Sequence, residues 1–157
     1  MTDTASSHRT VRASREIAAP ADVIFELIAD PSHQPRWDGN DNLAQAPEGQ
    51  RVRQVGDVFT MVLSKGSIRE NHVVEFDEGR RLAWLPAEPG QTPTGHLWRW
   101  ELTPVGATTT RVTHTYDWSQ LTDPGRFTRA QWTTPERLQA SLTRLAMLAE
   151  TPSGSPP

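Results

Sequence analysis

The chain has 157 residues, a hydrophobic share of 35% and a formal net charge of −3. This is enough apolar material to close one core and gives no electrostatic reason to expect nucleic acid or an anionic membrane surface. There are no cysteines, which excludes disulfides, thiolate metal sites and a cysteine nucleophile. No apolar run is long enough to span a bilayer, and residues 1–10, MTDTASSHRT, lack the apolar stretch of a secretory signal, so no membrane insertion is expected and a cytoplasmic location is the default. Lys65 is the only lysine among 16 basic residues, an arginine bias associated with high-GC bacterial genomes.

The elements read in chain order as follows. Residues 1–8 are small and polar, and TPSGSPP at 151–157 cannot continue a helix. Both are expected to be disordered tails around one domain at 9–150. RTVRASREIA, 9–18, reads as a first strand in which Val11, Ala13 and Arg15 alternate with Arg12, Ser14 and Glu16. Pro20 suits a first helical turn, and Val23, Ile24, Leu27 and Ile28 form an apolar stripe that Asp30-Pro31 ends. PSHQPRWDG leaves room for a short helical turn only. From about Arg51 the period changes to two. VGDVFTMVLS, SIRENHVVEFD, RRLAWLP, GHLWRWELTP and TTTRVTHTYDWS read as antiparallel strands joined by turns too short for parallel crossovers. The 18 residues from Trp118 to Pro135 join the last strand to a long helix. Phe127 and Trp132 in that segment need burial, and it is expected to fold over one end of the space between sheet and helix. Thr133 or Thr134 can cap the helix, Pro135 and Glu136 suit its first turn, and Leu138, Leu142, Leu145 and Ala149 form its apolar stripe.

Strand alternation then assigns faces. HLWRWELTP places His96, Trp98, Trp100 and Leu102 together. The same logic gives Val112, His114, Tyr116 and Trp118; Leu82 and Trp84; Phe59, Met61 and Leu63; and Ile68, Glu70, His72, Val74 and Phe76. A one-residue bulge would reverse any of these assignments. Arg69, Asn71, Arg99, Glu101, Arg111 and Asp117 fall on the opposite, convex face, with cross-strand ion pairs.

The opening strand followed by IAAPADVIFELIADPSHQPRWDG, then VVEFDEGRRLAWL, WRWELTPVGATTTRVTHTYD and the terminal helix resemble the START/Bet v 1-like (SRPBCC) superfamily, in its polyketide cyclase/dehydrase-like branch. The resemblance runs from about Val11 to Glu150. The helix ending in Asp-Pro and followed shortly by Trp-Asp is its most characteristic part. It implies an α+β helix-grip fold. In that fold a curved antiparallel sheet, here of about six to seven strands, wraps a long C-terminal helix, with two short helices after the first strand and a cavity between sheet and helix. Members bind lipids, sterols, quinones, hormones or polyketides, and some catalyse cyclisation. Others are co-chaperone-like or toxin-like, and dimers occur. The shared motifs are structural and transfer no active site.

An aromatic face that also carries histidines, a tyrosine and a glutamate has the composition of a ligand pocket. Expected ligand-contacting residues are Phe59, Met61, Trp84, Trp98, Trp100, Tyr116, Trp118, Leu138, Leu142 and Leu145. The candidates for acid–base chemistry are His72, His96, His114, Glu70 and Tyr116. The histidines at 8, 33, 72, 96 and 114 show no metal-ligand spacing, and there is no phosphate loop, nucleophile elbow or dinucleotide fingerprint. No metal or other cofactor is therefore expected. Trp37 reads as core capping the sheet or as part of a gate. Three readings follow. The first is a binder of a hydrophobic or aromatic small molecule (lipid, polyketide or quinone-like), monomeric or homodimeric, with an open cavity of roughly 300–1,000 Å³. The second is a polyketide cyclase or dehydratase with at least two of the acid–base candidates converging on one point. The third is a protein-interaction module whose core is filled by its six tryptophans.

Overall fold

A computed structural model describes residues 9–151. The tails expected at 1–8 and 151–157 lie outside the described residues, save Thr151. Strand β1 (Thr10–Ile17) is followed by helix α1 (Ala21–Ala29), a 3₁₀ turn (Pro31–His33) and a single-turn helix α2 (Gln34–Trp37). Then come β2 (Leu43–Gln45), β3 (Val58–Leu63), β4 (Ile68–Asp77), β5 (Arg81–Ala87), β6 (Leu97–Gly106) and β7 (Thr109–Asp117). A second 3₁₀ turn (Pro124–Arg126), the short helix α3 (Phe127–Gln131) and the long helix α4 (Pro135–Glu150) complete the chain.

The seven strands form one antiparallel sheet in the order β1-β7-β6-β5-β4-β3-β2. It curves around α4, which lies along β1, in the helix-grip arrangement. The three-residue β2 was not legible as a strand, because its sequence lacks alternation. It pairs only with the irregular edge of β3.

The helices form where their sequences direct. Asp30 accepts from the Ser32 amide at 3.0 Å and starts the 3₁₀ turn that ends α1. At α4 it is Thr134, not Thr133, that caps, with Pro135 in the first turn. The α4 stripe of Leu138, Leu142, Leu145 and Ala149 is buried, and Ser141 and Ala146 join it. Leu142 and Leu145 meet Ile17, Phe25, Ile28, Leu82 and Trp100 in the main core. A smaller cluster of Tyr116, Trp118, Leu121, Ala130 and Leu138 sits under the segment joining β7 to α4.

Polar contacts fasten the α2–β2 loop to the flank of α4. The Gly39 amide donates to Ser141 Oγ at 3.0 Å, and Arg144 donates to the Asp38 carbonyl at 2.7 Å. The Asp38 carboxylate accepts from the Asn42 and Leu43 amides at 2.8 and 3.2 Å. Gly39 approaches α4 so closely that a Cβ there would lie 2.5 Å from the carbonyl carbon of Ala140. Helix backbone cannot yield to such a contact, so Gly39→Ala is expected to destabilise the fold by about 1–3 kcal/mol. Urea denaturation checks this, with Gly106→Ala, whose added Cβ meets nothing within 4 Å, as the control expected near neutral.

Candidate functional site

Three aromatic rings set where the solid core stops. Trp100 is fully buried, stacks on His114 with ring centroids 3.7 Å apart, and meets Trp37 edge-on at 5.1 Å. The Trp37 indole N–H donates to the Leu27 carbonyl at 2.8 Å, which locks α2 to the end of α1. Beyond His114 and Trp37 lies a cavity of about 440 Å³. The sheet supplies Met61, Leu63, Arg69, Asn71, Trp84, Pro86, His96, Trp98, His114 and Tyr116 to its wall. The α2–β2 region supplies Gln34, Asp38, Asn40 and Asn42, and α4 supplies Arg137 and Ser141. The segment after β7 folds over it and contributes Leu121, Arg126, Arg129, Ala130 and Trp132.

Of the ligand-contacting residues expected from sequence, Met61, Trp84, Trp98 and Tyr116 line this cavity. Phe59 and Trp100 stand one layer behind it: Phe59 packs edge-on against Trp84 at 5.3 Å. Trp118 packs against Phe127 at 5.6 Å, with the Arg9 guanidinium over both rings. Leu138, Leu142 and Leu145 are core rather than wall, because the stripe that anchors α4 must touch the sheet. The cavity meets the neighbouring flank of that helix, at Arg137 and Ser141. Trp132, expected to be buried, is 58% exposed and carries the Arg137 guanidinium 3.7 Å from its ring centroid.

The acid–base candidates divide. His96, His114 and Tyr116 line the cavity, with the His96 and Tyr116 rings 6.1 Å apart. Glu70 and His72 do not reach it, and neither do Ile68 and Val74. Strand β4 carries a bulge: Val73 pairs with Trp84 but Glu75 pairs with Ala83, leaving Val74 as the extra residue. Phe76 therefore faces inward as expected, against Phe25 at 5.8 Å, while every residue before the bulge has the opposite parity. Arg69, Asn71 and Val73 face inward, and Ile68 and Val74 are exposed. Glu70 is occupied on the outside, accepting from the Gly90 amide at 2.9 Å. The convex assignment of Arg69 and Asn71 is thus reversed. That of Arg99, Glu101 and Arg111 holds: Arg99 makes a two-bond pair with Glu75 at 2.9 and 2.6 Å, Arg81 pairs with Glu101 and Arg111 with Glu16.

The cavity's electrostatics differ from those read in the sequence. Burial, with the positive charges of Arg126 and Arg69, pushes His96 down to about 4. Burial pushes His114 down to about 3, opposed by its bond to the Arg99 carbonyl at 3.1 Å. A carbonyl only accepts, so His114 Nδ1 carries the proton and Nε2 remains the acceptor. Burial raises Tyr116 to about 12, opposed by Arg129, so its phenol stays protonated and donates. Among the described residues Asp38 is the one carboxylate in the wall, and both its oxygens accept from backbone amides. Arg69 and Asn71 escaped sequence reasoning because only the bulge brings them inward. Arg126 and Arg129 lie in the segment expected to cover the cavity, which was the available signal.

The sequence model of a family described as polyketide cyclase / dehydrase and lipid transport matches residues 8–150. The chain belongs to this family. A Mycobacterium tuberculosis protein described as uncharacterized is 29% identical over 111 residues, which cover 69% of this chain and 47% of that protein. The chain spans about half the length of the curated relatives it matches. The fold is shared with a START superfamily protein from Mycobacterium smegmatis (TM-score 0.64, 17% identity, 90% of this chain and 97% of the other). It is also shared with the Aha1 dimer from Colwellia psychrerythraea (TM-score 0.63, 17% identity, 92% of this chain and 98% of the other). Among the described residues no helix is long and apolar enough to cross a membrane.

Within this polyketide cyclase-like scaffold the two cavity histidines couple pH to stability. Their folded values lie below the ordinary 6.5, so the unfolded chain takes up protons first as pH falls. Stability is expected to be full above about 6.5 and to decline as pH falls from there toward 4, ahead of most carboxylate protonation near 4. Urea midpoints measured between those limits check this. A His96→Gln/His114→Phe variant is expected to show a flatter slope over the same range.

Proposed function

We propose that this protein binds a hydrophobic or aromatic small molecule, of the lipid, polyketide or quinone-like class, in the cavity between sheet and α4. The observation that carries the reading is that about 440 Å³ remains open although the chain has six tryptophans with which to fill it. Trp37 and Trp100 close off the core, Trp118 is spent on Phe127, and Trp84 and Trp98 present apolar walls to the open space. A filled-core interaction module is disfavoured by the same space. Membership of a family that includes lipid transport supports binding.

A cyclase or dehydratase is supported only by the presence of His96, His114 and Tyr116 in one cavity. Proton abstraction near neutral pH calls for a base with a pKa near 7. Imidazoles held at about 4 and about 3 are neutral but weakly basic, and Glu70 is bound on the convex face. These groups suit orienting a ligand by hydrogen bonds better than moving its protons.

The test is tryptophan fluorescence titration with a panel of lipids, quinones and aromatic polyketides, together with native mass spectrometry for a co-purifying molecule. Saturable quenching is expected. Leu63→Trp, which places a large ring in the cavity from its half-buried rim, is expected to weaken binding at least about tenfold while thermal unfolding stays cooperative. A protein that carries no ligand and answers to no member of the panel would overturn the reading.

A further inference from the structure

The polar residues of the cavity are unequally charged. Arg69 arrives from β4, Arg126 and Arg129 from the covering segment and Arg137 from α4, against the single carboxylate of Asp38. That carboxylate already accepts from the amides of Asn40, Asn42 and Leu43. Outside the cavity, Arg51, Arg99 and Arg111 each hold a carboxylate at 2.6–2.8 Å. Arg69 and Arg129 take part in no ion pair among the described residues, and Arg69 donates only to the neighbouring Ile68 carbonyl. Arg126 has only long contacts, 3.6 Å to Glu88 and 3.5 Å to Asp123.

Two guanidinium groups from separate elements, Arg69 and Arg129, thus reach one space with no ion-pair partner among the described residues. An anion placed between them would meet two positive charges that no carboxylate of the fold engages. The electrostatic influence of these groups on the wall is already evident: Arg126 and Arg69 act on His96, and Arg129 on Tyr116. Against them stand Trp84, Trp98, Met61 and Leu63, which present mainly apolar surface.

We propose that the cavity takes a single-headed anionic amphiphile. Its carboxylate-class oxyanion lies between Arg69 and Arg129, within reach of the Tyr116 hydroxyl, and its apolar or aromatic body lies against Trp84, Trp98 and Met61. The inference rests on the cavity-binding reading above and deepens it by naming the ligand's charge. Arginine is suited to the role because its planar fork meets a carboxylate through two bonds.

The test uses matched pairs that share one body: 2-naphthoate against 2-naphthamide, and dodecanoate, below its micelle concentration, against dodecanol. Each is titrated into the full chain and followed by tryptophan fluorescence at pH 7.5. The acids are expected to bind about tenfold or more tightly than their neutral partners, with an advantage that shrinks as salt is raised. Arg69→Gln and Arg129→Gln are each expected to remove most of that advantage, lowering the acid's affinity by a much larger factor than the neutral partner's. Neither arginine takes part in an ion pair among the described residues, and thermal unfolding of each variant verifies that it is intact. Equal binding of acid and neutral partner by the parent chain would overturn the anion inference and leave the binding reading standing. Failure of all four probes, with failure of the wider panel, would overturn both.

Discussion

The stack of Trp100 on His114, braced edge-on by Trp37, is the contact on which the rest of the architecture turns. Strand β6 is ten residues long, and its inward residues serve two regions. Leu102 and Trp100 belong to a close-packed core with Phe25, Leu142 and Leu145, whereas Trp98 faces space. A boundary between packed and open volume inside one small domain needs rigid material, because loose side chains would collapse across it. Flat aromatic rings with few rotatable bonds meet that need. His114 contributes a further constraint, since its ring is pinned to the Arg99 carbonyl as well as stacked.

The wall opposite the sheet is held from behind. Asp38, Gly39 and Arg144 tie the α2–β2 loop to α4 through groups that point away from the open volume or into backbone. Thr134 caps the helix and Asp123 starts the 3₁₀ turn of the covering segment, accepting from the Gly125 amide at 3.0 Å. The side chains that define cavity chemistry (Arg69, Asn71, His96, Arg129) contribute little to these fastenings. The fastenings rest mainly on groups other than these four, which lets cavity chemistry vary on one fold.

Much of this was legible in the sequence, and the misses have physical causes. Local periodicity identified α1 and α4, Pro135 and Glu136 marked the start of α4, and the period-two runs identified five of the strands and the inward set on β3, β5, β6 and β7. The apolar stripe of α4 was read correctly, but burial was taken for ligand contact. Leu138, Leu142 and Leu145 show that the most apolar residues of a helix are spent on the core, and a cavity meets the next residues around the helix. Trp132 was assigned to the interior on hydrophobicity alone, although a tryptophan can also lie flat beneath an arginine at a rim. On β4 the apolar Ile68, Val74 and Phe76 share one parity and carried the assignment of Glu70 and His72 with them. Only Phe76 obeyed it, since pairing with β5 shifts by one residue at Val74.

That single extra residue means that the cavity wall on β4 is set by a count rather than by a composition. With Phe76 fixed in the core, the same residues paired without the bulge would turn the acidic and imidazole-bearing side of the strand inward and the arginine outward, with no side chain replaced. An alignment that slides a gap across this strand would then equate residues on opposite faces of the sheet. Two chains alike at nearly every position would then present walls of opposite charge on this strand if one kept the bulge and the other lost it.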